Sequence, residues 1–80
     1  MSNLNTETTI MESEARQRVS KFLRVYRATF DLTQKQMSDT LGCSLSTYNQ
    51  VEQGTSDFRI SFIDKISEGL KVEINDIFFP

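Results

Sequence analysis

Histidine is absent from this chain of 80 residues, and cysteine occurs once, as Cys43. A single cysteine excludes an internal disulfide, and without histidine a zinc site is not expected. The cysteine has no candidate base partner, and the sequence contains no phosphate-cradling loop. We therefore predict no catalytic residue, no metal and no cofactor.

Long apolar runs are also missing, since none approaches the roughly 20 residues that a membrane span requires. The first residues are polar and acidic, unlike a signal peptide, so we expect a cytoplasmic protein without membrane contact. One proline and three glycines leave room for several helices.

The length of the chain is that of one small domain. Eighty residues bury a modest core, and oligomerisation is a natural support for a domain of this size. Residues 1–12 begin without an apolar period, which predicts a flexible acidic arm. Residues 13–80 predict one folded domain.

Charge is unevenly distributed along the chain. The net charge is −2, made of −3 in residues 1–14, +5 in residues 15–36 and −4 in residues 37–80. An acidic chain argues against nucleic acid as a partner, but a local positive block can still hold phosphate. The basic residues of the first helix form either a solvated face or a phosphate-attracting one: Arg16, Arg18, Lys21 and Arg24.

Apolar spacing predicts a long first helix and two later helices. A capping box at Thr9 and Glu12 opens the first helix, which runs to about Ala28. A later helix is expected from about Arg59 to Gly69, and a short last one from Ile74 to Phe79. The inward stripe of the first helix comprises Ala15, Val19, Phe22 or Leu23, Tyr26 and Phe30, and that of the later helix Ile60, Ile63, Ile66 and Leu70.

Residues 33–54 predict two short helices joined by a tight turn. Thr33 and Gln36 form a capping box, Gly42 suits the left-handed end of the first helix, and Ser44 caps the second. This layout is that of a helix-turn-helix, whose second helix enters the DNA major groove. Tyr48 and Val51 would point to the core.

The same residues resemble the Cro/phage-repressor type of helix-turn-helix, the Xre family, over about residues 18–78. The resemblance implies an all-α, five-helix, lambda-repressor-like DNA-binding domain with a recognition helix at 44–53. The matching elements are Arg27, Leu32-Thr33-Gln34, Leu41-Gly42-Cys43-Ser44, Tyr48-Asn49, Glu52, Gly54, Ile63, Ile66, Leu70, Val72 and Ile77-Phe78.

The resemblance also implies roles for individual residues. Asn, Gln and Ser can hydrogen-bond base edges, and a leucine can touch a thymine methyl. Arg27 and Glu52 match a structural ion pair between the first and third helices. Base contacts are implied for Ser44, Leu45, Ser46, Asn49 and Gln50, and phosphate contacts for Gln34, Lys35, Gln53, Thr55 and Arg59.

Three positions depart from the family pattern. Asp31 stands where glycine is frequent, and aspartate tolerates left-handed φ. Cys43 replaces a small aliphatic residue and is interpreted as a buried hydrophobe rather than a redox sensor. The recognition helix has no Lys or Arg, so affinity would depend on a modest number of phosphate contacts.

The C-terminal segment, residues 74–79, is too apolar for its length. Ile77 and Phe78 are expected to complete the core, and Ile74, Phe78 and Phe79 are candidates for a dimer interface on the last helix. Simple closure of the core is the other interpretation.

The sequence therefore predicts a transcriptional regulator that binds a pseudo-palindromic site on double-stranded DNA as a homodimer. The alternatives are a protein-interaction module on the same fold, with an unknown partner, or an antitoxin-type autoregulator. Phage repressors and controller proteins of restriction–modification systems are small family members with this layout.

Overall fold

The computed structural model describes the backbone of residues 2–79 and the side chains of residues 14–79. Within the described backbone there are five helices and no strand, so the predicted all-α class is confirmed. None of these helices combines the length and apolar content needed to cross a membrane. The helices are α1 (Ser2–Thr29), α2 (Gln34–Leu41), α3 (Leu45–Gln53), α4 (Ile60–Leu70) and α5 (Ile74–Phe78).

The start of α1 differs from the prediction. The helix begins at Ser2 rather than at the expected Thr9 cap. No glycine or proline lies between residues 2 and 29 to stop the helix, and Asp31 with φ +54° follows its end. The predicted arm, residues 1–12, lies outside the residues whose side chains are described, so its flexibility stays a prediction.

The ends of α2 and α3 follow the predicted capping pattern. The Thr33 hydroxyl accepts from the Gln36 N–H at 3.0 Å, while the Thr33 N–H donates to Gln36 Oε1 at 2.8 Å. Gly42 ends α2 with φ +69°, and Gly54 ends α3 with φ +73°. Both glycines hold a left-handed conformation that a side chain would oppose.

All five helices contribute to one hydrophobic core. Two predicted core residues are exposed instead: Phe30, beyond the end of α1, is 58% exposed, and Ile60, in the first turn of α4, is 83% exposed. Phe62 is buried in α4 although the predicted stripe did not include it. The buried apolar residues are Val19, Leu23, Met37, Leu41, Tyr48, Val51, Phe62, Ile63, Ile66, Leu70 and Ile77.

Helix α4 continues through Gly69, where the sequence suggested that it stops. Its C-cap is Lys71, which adopts φ +57°. A Cβ atom on Gly69 would lie 3.0 Å from the Thr40 carbonyl oxygen and 3.2 Å from Leu41 Cδ2. Gly69 therefore permits close approach of α4 to the end of α2, which sets the position of the helix-turn-helix.

Candidate nucleic-acid interface

Helix α3 presents two faces of different character. Tyr48, Val51 and Glu52 are buried against the rest of the domain. Leu45, Ser46, Thr47, Gln50 and Gln53 are exposed along the opposite face. A short helix held on one side and polar on the other has the form of a recognition helix.

The predicted base-contacting residues divide into free and engaged groups. The side chains of Leu45, Ser46 and Gln50 are exposed. The Ser44 hydroxyl caps α3 instead, accepting from the Thr47 N–H at 3.0 Å and donating to Thr47 Oγ1 at 2.9 Å. Asn49 is half-buried, and its Oδ1 is buried without a hydrogen-bond partner among the described residues.

An ion pair joins α1 to α3. Arg27 donates from Nε to Glu52 Oε2 and from Nη2 to Glu52 Oε1, each at 3.0 Å. A further Arg27 hydrogen bond reaches the Leu32 carbonyl at 3.2 Å, and Gln34 Nε2 donates to Glu52 Oε1 at 3.3 Å. The structure thus brings Arg27 and Glu52 together as a bidentate pair, the stronger form of such contacts.

The electrostatic state of this cluster follows from its burial. Burial raises the pKa of Glu52, but the hydrogen bonds from Arg27 and Gln34, together with the nearby Tyr48 hydroxyl, outweigh it and hold the pKa below its ordinary value. Burial, followed by the neighbouring Glu52 carboxylate, raises the pKa of Tyr48. Glu52 is therefore ionised and Tyr48 neutral at physiological pH.

A buried serine also holds α3 against α1, and sequence reasoning missed it. The Ser20 hydroxyl donates to the Glu52 carbonyl oxygen. A Cβ atom on Gly54 would lie 3.5 Å from Ser20 Cβ. Small residues at both positions let the end of α3 approach α1 closely, and a small residue beside Val19, at the edge of the apolar stripe, is the signal that could have indicated this.

The predicted phosphate-contacting residues lie at three places. Gln34 and Lys35 occupy the first turn of α2, where two backbone N–H groups precede the capped one, and N–H groups of this kind at a helix start are able to hold an anion. Gln53 and Thr55 flank Gly54 just after α3 and are exposed. Arg59 lines a cleft of about 230 Å³ beside Thr47 and Lys65. Thr47 and Lys65 were not predicted.

Half of the six cations in the positive block take part in ion pairs within the domain. Arg16 pairs with Asp57 at 2.7 Å, and Lys35 pairs with Asp39 at 2.8 Å. With Arg27 bound to Glu52, three of the block's cations are neutralised locally. Among the described side chains, Arg18, Lys21 and Arg24 have no ion-pair partner.

The C-terminal residues predicted for a dimer interface lie at the edge of the domain. Ile74 and Phe79 are exposed, whereas Phe78 is half-buried and packs on the core. Arg18 donates to the Phe78 carbonyl oxygen, and its guanidinium lies 5.3 Å from the centre of the Phe79 ring. Thus α1 holds the end of α5 in place.

Cys43 is half-buried in the turn between α2 and α3 and packs against the core. Burial raises the pKa of its thiol, an effect that nearby Lys65 partly opposes. A thiol with a raised pKa is a weak nucleophile at neutral pH, which agrees with its interpretation as a packing residue.

The order of the helices, the glycine turn and the two-faced α3 define a helix-turn-helix domain. The family model described as helix-turn-helix matches residues 23–77, and the chain belongs to this family, the Xre/Cro type. It is also 38% identical over 56 residues to an uncharacterized HTH-type transcriptional regulator of Methanocaldococcus jannaschii, covering 70% of this chain and 85% of that protein. No solved structure matches the chain.

Proposed function

We propose that this protein is a sequence-specific DNA-binding transcriptional regulator that inserts α3 into the major groove. The observation that carries the proposal is the exposed face of Leu45, Ser46 and Gln50 on a helix whose other face is locked into the core. The similar regulator from Methanocaldococcus jannaschii supports it.

Within α3, Gln50 is the residue best placed to read a base. Its exposed amide carries both the donor and the acceptor that bidentate binding of adenine requires. Leu45 supplies an apolar surface for a thymine methyl group. To contact a base, the Ser44 hydroxyl would have to leave the N-cap of α3, and Asn49 would have to turn its buried amide oxygen outwards. We therefore assign both residues a smaller share of base recognition.

Phosphate binding would come from both ends of the motif. The α2 N-terminus at Gln34 and Lys35 offers backbone N–H groups, and Gln53, Thr55 and Arg59 lie beyond α3. Because few free cations lie near α3, each phosphate contact has a large share of the affinity. The slope of log affinity against log salt concentration should then be shallow, with a magnitude of about one for each cationic contact.

We further propose that the protein binds a pseudo-palindromic site as a homodimer, with half-sites about one helical turn apart. The exposed Ile74 and Phe79, at the two ends of α5, support an interface there. A two-fold symmetric dimer presents two copies of α3 to a two-fold symmetric DNA site.

The test compares Gln50→Ala with a phosphate-side variant, Arg59→Gln, on the duplex that the wild type selects. Gln50→Ala should cost about 1–3 kcal/mol and relax preference at one position of each half-site. Arg59→Gln should weaken all sequences alike and flatten the salt dependence. Unchanged base preference in Gln50→Ala would contradict the placement of α3.

A protein-interaction module on the same fold is the second candidate, and an antitoxin-type autoregulator would combine both roles. The observation in its favour is the local neutralisation of Arg16, Arg27 and Lys35. Such a module would bind no duplex DNA at physiological salt, which binding measurements with the wild-type protein at that salt would reveal.

A further inference from the structure

A cleft lies between α3, the first half of α4 and the loop that joins them, and we call it the α3–α4 cleft. Its volume is about 230 Å³. Val51 and Phe62, both buried, and the half-buried Phe58 form its floor. Polar side chains around an apolar floor act in a reduced dielectric, so they interact more strongly with a charged ligand than they would in bulk water. The exposed residues around the floor are Thr47, Asp57, Arg59, Ser61 and Lys65.

The charge around the α3–α4 cleft is positive. Arg59 and Lys65 line it, and neither has an ion-pair partner among the described side chains. Asp57 lines it too, but its carboxylate lies 2.7 Å from the guanidinium of Arg16 on α1, which offsets its charge. The cleft therefore attracts an anion.

Lys65 and Thr47 line the α3–α4 cleft from different helices. Burial raises the pKa of the Cys43 thiol, and the charge of Lys65 partly opposes that rise, in agreement with an ammonium group near the turn that precedes α3. On the α3 side, Thr47 Oγ1 accepts from the Ser44 hydroxyl at 2.9 Å. The Thr47 hydroxyl can therefore donate its own hydrogen to a ligand. The cleft thus combines a cation from α4 with a neutral donor from α3.

We propose that the α3–α4 cleft holds one phosphate of the DNA backbone, bound by Lys65 and Thr47 together with Arg59. Thr47 follows Ser46 and lies three residues before Gln50, so it is a neighbour of both on the helix surface. A phosphate held there belongs to the backbone beside the bases that Gln50 reads. The inference rests on the proposed function and adds Lys65 and Thr47 to its phosphate contacts.

Such a contact sets the position of α3 in the groove rather than its choice of bases. Contacts to phosphate fix register and orientation but carry no direct sequence information. The carboxylates of an acidic protein partner would suit the same charge. The position of the cleft favours DNA, because Thr47 adjoins the exposed face of α3 that is proposed to enter the major groove.

Salt titrations on the duplex that the wild type selects test the role of Lys65. Lys65→Gln should weaken binding about three- to tenfold and lower the slope of log affinity against log salt concentration by about one. Its base preference should be that of the wild type. Lys65→Arg keeps the cation and should keep the slope. Lys71→Gln is the matched control, because Lys71 is an exposed cation at the other end of α4, and should leave affinity and slope unchanged.

A second measurement locates the phosphate. Single phosphates of the selected duplex are replaced, one at a time, by uncharged methylphosphonates. The wild type should lose affinity about three- to tenfold at one position in each half-site, whereas Lys65→Gln should lose little there because its contact is already absent. Thr47→Val should weaken binding about two- to fivefold without changing the salt slope, because the hydroxyl that it removes is neutral.

The outcomes separate this inference from the proposed function. If Lys65→Gln matches the wild type in affinity and salt slope, the inference is wrong while the proposed function stands, and the cleft is then free to serve an acidic protein. The same follows if Lys65→Gln and the wild type lose equally at every neutralised phosphate. A folded wild type that binds no duplex overturns both.

Discussion

Arg27 and Glu52 bind each other through two hydrogen bonds of 3.0 Å, but the two side chains are unequally buried. The Glu52 side chain is 6% exposed and that of Arg27 is 31% exposed. Removing Arg27 and removing Glu52 should therefore destabilise the domain by different amounts, because only the arginine side chain can turn towards water when its partner is lost.

Arg27→Ala should destabilise the domain more than Glu52→Ala. The first leaves a buried carboxylate without its main partner, at a cost of about 2–3 kcal/mol, below the value for a fully buried pair because the site borders solvent. The second should cost about 1–2 kcal/mol, mostly for the hydrogen bonds that Arg27 and Gln34 lose. Urea denaturation of each variant measures the difference.

The double variant Arg27→Met with Glu52→Gln is the matched control for this pair. It removes both charges while keeping most of the volume, and should be more stable than Arg27→Ala alone. Equal stability of the two single variants would mean that both groups are equally hydrated, contrary to the structure.

Acid should weaken the fold through Glu52. Its pKa in the folded state lies below the ordinary 4.5, so the unfolded chain binds the proton more tightly. The stabilising contribution of Glu52 is complete above about pH 4.5 and is lost as pH falls through the lower, folded-state pKa. The unfolding free energies of wild type and Glu52→Gln should therefore differ most above about pH 4.5 and converge as the pH falls below it. A constant difference would mean that the Glu52 pKa is unshifted.

Gly69→Ala should destabilise the domain even though alanine favours helix. The added methyl would lie 3.0 Å from the Thr40 carbonyl oxygen, and the resulting shift of α4 against α2 should cost about 1–3 kcal/mol. The neighbouring exposed Glu68→Ala is the control and should be nearly neutral. Thermal unfolding of both variants measures the difference. A Gly69→Ala variant as stable as wild type would mean that α2 and α4 are not in contact at this position.

Lys71→Gly should stabilise the domain by about 0.5–1 kcal/mol. Lys71 holds φ +57° at the end of α4, a conformation that costs energy for any residue with a Cβ. Asp31→Gly, at φ +54°, should act in the same direction. A glycine at the exposed helical position Glu68 of α4, Glu68→Gly, should instead destabilise. A lower melting temperature for Lys71→Gly would contradict this account of the α4 end.

Local signals in the sequence were sufficient for the helix-turn-helix itself. Capping residues such as Thr33 and Ser44, and the turn glycine Gly42, act within a few residues of their position, so their pattern alone predicts α2 and α3. The apolar stripes were less reliable. Phe30 and Ile60 are in register with their helices but lie at helix ends, where the core does not reach.

Contacts between distant helices could not be predicted from spacing. Nothing local shows that Ser20 binds the Glu52 carbonyl or that Gly69 lies against Thr40. The engagement of Arg16 by Asp57, 41 residues away, was equally invisible, because it depends on which side chains the fold brings together. The sequence therefore overstated the free positive charge of the first helix.

Selection of bound sequences from a random duplex pool, with purified protein at moderate salt, tests the central claim most directly. The account predicts a two-fold symmetric motif whose half-sites lie about one helical turn apart, each with an adenine preference that Gln50→Ala relaxes. Failure of the folded protein to enrich any motif would contradict it.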